Sequence, residues 1–136
     1  MEAIIECRSA VSSDLEAVVS MLADDVLGKE REQYVVPLLE SYRHAFEAIE
    51  ADPNNELIVA CYKGEVVGVQ QLTFTPYITH QGGWRATIEG VRTSLSIRGK
   101  GSGSELITWG IERAKERQCH LRCDRKAKSS AKLARY

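Results

Sequence analysis

Arg98-Gly99-Lys100-Gly101-Ser102-Gly103 is the stretch on which the reading of this chain turns. Before it, Trp84 to Thr93 is β-branched and mixed-polar and reads as a strand. After it, Leu106, Ile107, Gly110, Ile111 and Ala114 form the apolar side of a helix that should end near Gln118. Three glycines at alternate positions therefore open a helix directly after a strand. Glycine lets backbone N–H groups converge on an incoming ligand with no Cβ in the way. The first amides of a helix have no intrahelical acceptor, and the helix dipole adds partial positive charge there. Such a turn suits a phosphate or diphosphate, and Arg98 and Lys100 add mobile positive charge.

Two common phosphate motifs fail on spacing. A P-loop needs lysine after its second glycine and then Ser or Thr, whereas Lys100 lies between Gly99 and Gly101. A dinucleotide fingerprint counted from Gly99 finds Gly101 but Ser104 at its third position. It should also follow the first strand of its unit, and here three strand-like runs come earlier.

Those runs give the rest of the chain its order. Ile4 to Arg8 reads as a first strand. Ser13 and Glu16 have capping-box spacing ahead of Leu15, Val18, Val19 and Leu22, an amphipathic helix that ends near Gly28. A second helix is expected from Val36 to Ala51, with Leu38, Leu39, Tyr42, Ala45, Phe46 and Ile49 on one side, stopped by Asp52-Pro53-Asn54-Asn55. Glu56 to Tyr62, the turn Lys63-Gly64-Glu65 and Val66 to Thr75 make a hairpin. Pro76 to Gly83 is a loop, and Cys119 to Cys123 a last strand. The order β α α β β β α β implies an α/β (α+β) fold, a sheet covered by helices.

A chain of 136 residues fits one domain, here residues 1–123 with 124–136 as a basic tail. The net charge of −1 provides no overall field for nucleic acid or an acidic membrane. The tail lacks the interleaved aromatics that stack on bases. With no secretory leader and no run of membrane-span length, a cytoplasmic protein is expected. Cys7, Cys61, Cys119 and Cys123 have no CxxC spacing and read as reduced structural thiols, with no metal site.

The six-residue turn resembles the Gln/Arg-x-x-Gly-x-Gly/Ala motif of the GNAT superfamily of N-acetyltransferases. Ala60-Cys61-Tyr62-Lys63-Gly64-Glu65-Val66-Val67-Gly68 is similar to that superfamily's second hairpin, and Ile88-Glu89-Gly90-Val91-Arg92-Thr93 to the strand before its diphosphate loop. The resemblance runs from about Ile4 to Leu121. It implies a GNAT fold, a mixed and mostly antiparallel central sheet flanked by helices, with acetyl-CoA as cosubstrate. It implies that backbone groups of Arg98, Gly99, Lys100, Gly101, Ser102, Gly103 and Ser104 hold the coenzyme's diphosphate. The strand backbone at Val91, Arg92 and Thr93 would pair with the pantetheine arm. Ser102 and Thr93 stand where the family usually has aliphatic residues. The implied reaction is acetyl transfer to a primary amine of a small molecule or protein.

Such a transfer needs a neutral amine, a donor for the oxyanion and a proton for the departing thiolate. An alkyl amine with pKa near 10 is mostly protonated at neutral pH, so a base is wanted. Glu89 is the candidate, weighed against pairing with Arg85 or Arg92; His80 is a weaker one, and His44 and His120 receive no role. Acceptor specificity is expected from the early helices and the Pro76–Trp84 loop, where Tyr34, Tyr42, Tyr77 and Trp84 could line a pocket. By resemblance the general acid is a tyrosine on a later helix, and Tyr136 is the candidate. After Leu121 the chain departs from the family pattern, and its basic end reads as a truncated or frame-shifted one whose last strands are missing. A sheet shortened in that way would favour a homodimer, with strand exchange as one route. The competing reading is an acyl-CoA-binding or oligomeric GNAT-like protein without catalysis.

Overall fold

The computed structural model describes residues 4–24, 28–94 and 101–123. Five strands form one sheet in chain order: β1 (Ile5–Ser9), β2 (Asn55–Tyr62), β3 (Glu65–Pro76), β4 (Trp84–Thr93) and β5 (Cys119–Cys123). The first four pair antiparallel; helices fill the long connection between β1 and β2, while the β2–β3 and β3–β4 connections are short. β5 returns parallel to β4 after helix α5 (Ser102–Glu116). A parallel return needs a crossover, and the glycine-led helix supplies it.

The sheet separates two apolar layers, as strand alternation requires. On one face Ile58, Ala60, Leu72, Phe74, Ala86 and Ile88 pack against Leu106, Ile107 and Ala114 of α5. On the other, Val59, Cys61 and Val69 meet Val18 of α1 (Leu15–Ala23). Leu72, Ile88 and Leu106 have no exposed surface, and truncating a side chain so placed costs about 2–5 kcal/mol. The ion pair between Arg113 and Glu56, 2.7 Å apart and partly exposed, contributes about 1 kcal/mol or less. Burial therefore sets the stability of the α5 layer, and the ion pair sets its orientation.

The element order matches the sequence expectation, with local differences. The second long helix, α3 (Glu40–Ala51), begins at Glu40 and not at Val36: Pro37 takes Val36 out of helical backbone, and Leu39, with ψ 141, is still extended. Leu38 is buried ahead of the helix, while Leu39, its extended N-terminal flank, is exposed. Of the expected apolar face Phe46 is buried, Ile49 and Tyr42 partly so, and Ala45 is exposed. A further single helical turn, α2 (Gly28–Arg31), precedes it. The expected 76–83 loop holds a tight turn, α4 (Thr79–Gly82), with His80 and Gln81 in left-handed backbone.

The Ser13–Glu16 capping box does not form. Asp14 takes the capping role instead, accepting the Val11 amide at 2.8 Å while Arg8 grips both its oxygens at 2.7 and 3.0 Å. Those bonds, led by Arg8, hold the Asp14 carboxyl below the usual carboxylate range. Cys7, Cys61 and Cys119 are free thiols. Burial, helped by Glu105, pushes the Cys7 thiol up to about 11, and burial also raises Cys119, so both are neutral thiols at ordinary pH.

Candidate functional site

β4 is two strands in one. From Trp84 to Ile88 it is paired on both sides, with β3 and with β5, and Ala86 and Ile88 are fully buried. The described ladder with β5 stops at Ile88–Cys123. Beyond it the register with β3 shifts: Gln71 faces Glu89, but Val69 faces Arg92. Two positions on β4, Gly90 and Val91, thus stand against Gln70 alone, which is a β-bulge. Gly90 has φ +63, a left-handed conformation that other residues adopt only with strain.

An inserted residue resets which way side chains point. Ile88 faces α5, so Glu89 faces the opposite side. After the bulge Val91 packs with the α5 core again, and Thr93 meets α5 directly: a Cβ added at Gly103 would lie 3.7 Å from Thr93 Cγ2. Arg92 then shares the Glu89 face. The bulge thereby sets two groups of opposite charge on one side of the strand, and delivers the other side to the helix start.

That helix start has the geometry expected of an anion site. Gly101 flanks it in left-handed backbone, φ 92. The Glu105 amide donates to the Gly101 carbonyl at 2.9 Å, so Ser102, Gly103 and Ser104 make up the first turn, whose amides a helix cannot satisfy itself. Ser102, the first residue of the helix, is 2% exposed. Arg98, Gly99 and Lys100 lie outside the described residues, as does Tyr136 with the whole 124–136 tail.

Glu89 is exposed and makes no hydrogen bond or ion pair among the described residues. The two arginines weighed as its partners are engaged elsewhere: Arg85 lies 4.4 Å from the Tyr77 ring centre, and Arg92 Nη1 donates to the Val91 carbonyl at 2.7 Å. The charge of Arg92 is felt at Glu32, just after α2. Tyr42 OH donates to Glu32 at 2.8 Å and accepts the Gln33 amide at 3.1 Å. That hydroxyl, with Arg31 and the nearby charge of Arg92, holds the Glu32 carboxyl below the usual range. Of the four aromatic residues singled out from sequence, Tyr42 is thus hydrogen-bonded to Glu32. Tyr77 and Trp84 lie where β4 begins, eight residues before Arg92, or about 26 Å along an extended strand. Tyr34 is exposed. His80 stands beside His120, ring centres 6.3 Å apart, also near the start of β4.

A cavity of about 490 Å³ lies elsewhere, lined by Phe46, Ile49, Leu57, Trp109, Arg113 and neighbouring polar residues. It borders the C-terminal half of α5 and includes neither the bulge nor the glycine turn. Sequence reasoning missed the bulge and the Glu32–Tyr42 pair. A glycine inside an otherwise regular strand was the available signal for the first; the second joins residues ten apart and has no local signature.

Comparison with known proteins agrees with this geometry. A family model described as the acetyltransferase (GNAT) family matches residues 23–135, extending into the basic tail. An aminoalkylphosphonate N-acetyltransferase of Salmonella typhimurium is 28% identical over 118 residues, 87% of this chain and 71% of that protein. A solved structure from Bacillus halodurans C-125, described as a transcriptional regulator, is 58% identical, with a TM-score of 0.86, over 90% of this chain and 84% of that one. An acetyltransferase from Trypanosoma brucei is 25% identical, with a TM-score of 0.72, covering 89% of this chain and 82% of its own. A five-stranded sheet with helices on both faces and a family match over most of the length lead to one conclusion: the chain belongs to the acetyltransferase (GNAT) family, whose members are N-acetyltransferases that use acetyl-CoA.

Proposed function

We propose that this chain transfers the acetyl group of acetyl-CoA to the primary amine of a small molecule, within one domain spanning residues 1–123. The coenzyme's diphosphate rests on backbone amides from Arg98 to Ser104, and its pantetheine arm pairs with the backbone of Val91, Arg92 and Thr93. The amine approaches on the Glu89 side of the strand. Its lone pair attacks the thioester carbonyl, and the oxyanion collapses with cleavage of the C–S bond. Before the attack Glu89, directly or through one water, takes the proton that holds the amine as an unreactive ammonium; the extra proton on the new amide nitrogen passes to water, and the leaving thiolate gains one from Tyr136. Coenzyme A and the acetamide are the products.

The observation that supports this reading most is the alternation reset at Gly90. It leaves Glu89 on the open side of β4 while Thr93 abuts the first turn of α5. The Salmonella relative, named for an aminoalkylphosphonate, supports a small acceptor that carries both an amine and an anionic group.

Melting the protein with and without acetyl-CoA tests the cofactor. At a hundred times its Kd the ligand should add about 2.7 kcal/mol of stability. Release of free thiol with a panel of amines, aminoalkylphosphonates among them, then tests transfer. No shift at saturating acetyl-CoA rejects the assignment; a shift with no thiol release from any amine reduces the chain to a coenzyme binder.

A further inference from the structure

α5 is fastened to the sheet unequally along its length. Its C-terminal half is held by Arg113, whose Nε and Nη2 donate to Glu56 at 3.0 and 2.7 Å. Arg117 adds bonds to the Pro53 carbonyl at 2.8 Å and to Asn54 at 3.0 Å, and its guanidinium covers the Phe74 ring at 3.8 Å. Among the described residues the first two turns have a single side-chain hydrogen bond to the sheet: Gln70 Nε2 donates to the Leu106 carbonyl at 2.8 Å.

Gln70 has no exposed surface, and its Oε1 has no hydrogen-bond partner among the described residues. A buried amide oxygen left unpaired costs about 1–3 kcal/mol. An apolar side chain of similar length would fill the same space without that loss, since Leu72, Ile88 and Leu106 surround the layer. Core stability thus gives no reason for a glutamine here. Its position does. Gln70 sits on β3 between Val69, which faces Arg92, and Gln71, which faces Glu89, so it is the residue opposite the bulge. Two residues back, Gly68 faces Thr93 and receives the Leu106 side chain, whose Cδ1 would be 3.0 Å from an added Cβ. Thr93 in turn meets Gly103. Gln70, Leu106, Gly68, Thr93 and Gly103 close a ring of contacts around the junction of bulged strand and helix start. Leu106 lies one turn beyond Ser102, and a hydrogen-bonded turn moves as a unit. Whatever holds the Leu106 carbonyl also holds the amides of residues 102–104.

We propose that Gln70 is a positioning residue for acetyl-CoA: its bond to Leu106 sets the first turn of α5 against the bulged half of β4, so that the diphosphate-facing amides are in register with the strand backbone that takes the pantetheine arm. This rests on the coenzyme site proposed above. It assigns Gln70 to coenzyme affinity and not to stability or to the chemical step.

The test is Gln70→Met, which keeps the volume and removes both polar atoms. Its melting temperature should equal or exceed the parent's. Its Kd and KM for acetyl-CoA should rise about tenfold, with kcat within about twofold. A folded variant that binds acetyl-CoA as tightly as the parent overturns the proposal. Parent protein that binds no acetyl-CoA would instead remove the coenzyme site itself, a separate failure. Should the variant not fold, the parent answers: the Gln70 side-chain amide resonances, slow to exchange because buried, must shift when acetyl-CoA is titrated in, and unmoved resonances at saturation overturn the proposal equally.

Discussion

The two halves of β4 share one backbone and differ in almost everything else. Trp84 to Ile88 is paired on both sides, and its inward residues Ala86 and Ile88 are sealed under α5. Glu89 to Thr93 breaks register, contains a left-handed glycine, and shows Glu89 to solvent. The first half keeps a regular register and buries alternate residues. The second loses both within three residues. Local conflict of this kind, carried by a well-packed neighbour, is where function is to be sought. The regular half supplies the stiffness that lets the irregular half keep a defined shape.

That division can be broken from either side. The largest effect belongs to the core half. Ile88→Ala removes a fully buried side chain beneath α5 and should lower unfolding free energy by about 3–4 kcal/mol. Because the residue faces away from Glu89, the fraction that stays folded should keep its KM for acetyl-CoA; urea melts and initial rates measure the two. A tenfold rise in KM would mean that the halves are not separable.

Glu89→Gln asks the reverse. It leaves the carboxamide exposed and unpartnered, so stability should move by less than about 0.5 kcal/mol. Loss of the base should cut kcat about a hundredfold at neutral pH, with partial recovery at high pH, where more of the amine is neutral. Unchanged kcat would leave Glu89 as a solvated strand residue.

Gly90→Ala is the smallest and sharpest change. An added Cβ meets nothing within 4 Å, yet φ is +63, so the strain is conformational and about 1–2 kcal/mol. If the strand relieves it by losing the bulge, Glu89 and Arg92 no longer share a face and activity should fall more than stability does. Equal small losses in both would show that the bulge survives and that only strain was added.

Much of this was legible before any coordinates. Strand and helix periods are local, so Val66 to Thr75 and Leu106 to Ala114 announced themselves, and the turn at Lys63-Gly64 was written in its residues. The helix that starts at Glu40 and not Val36 was misjudged because the apolar pattern continues through Pro37, while the backbone restriction set by that proline interrupts the helix. The Ser13–Glu16 box failed for a different reason. Asp14 had a better partner in Arg8, which reaches the turn only because β1 ends beside it.

The order of elements and the glycine-led start of the last helix were legible in the chain alone, since each depends on residues within a few positions of one another. Three things needed the tertiary structure: the bulge at Gly90, the burial of Gln70 against the Leu106 carbonyl, and the hydrogen bond of Tyr42 to Glu32. Each is a relation between segments distant in sequence. Pairing register and long-range packing, which no local window contains, decide which of the possible contacts form.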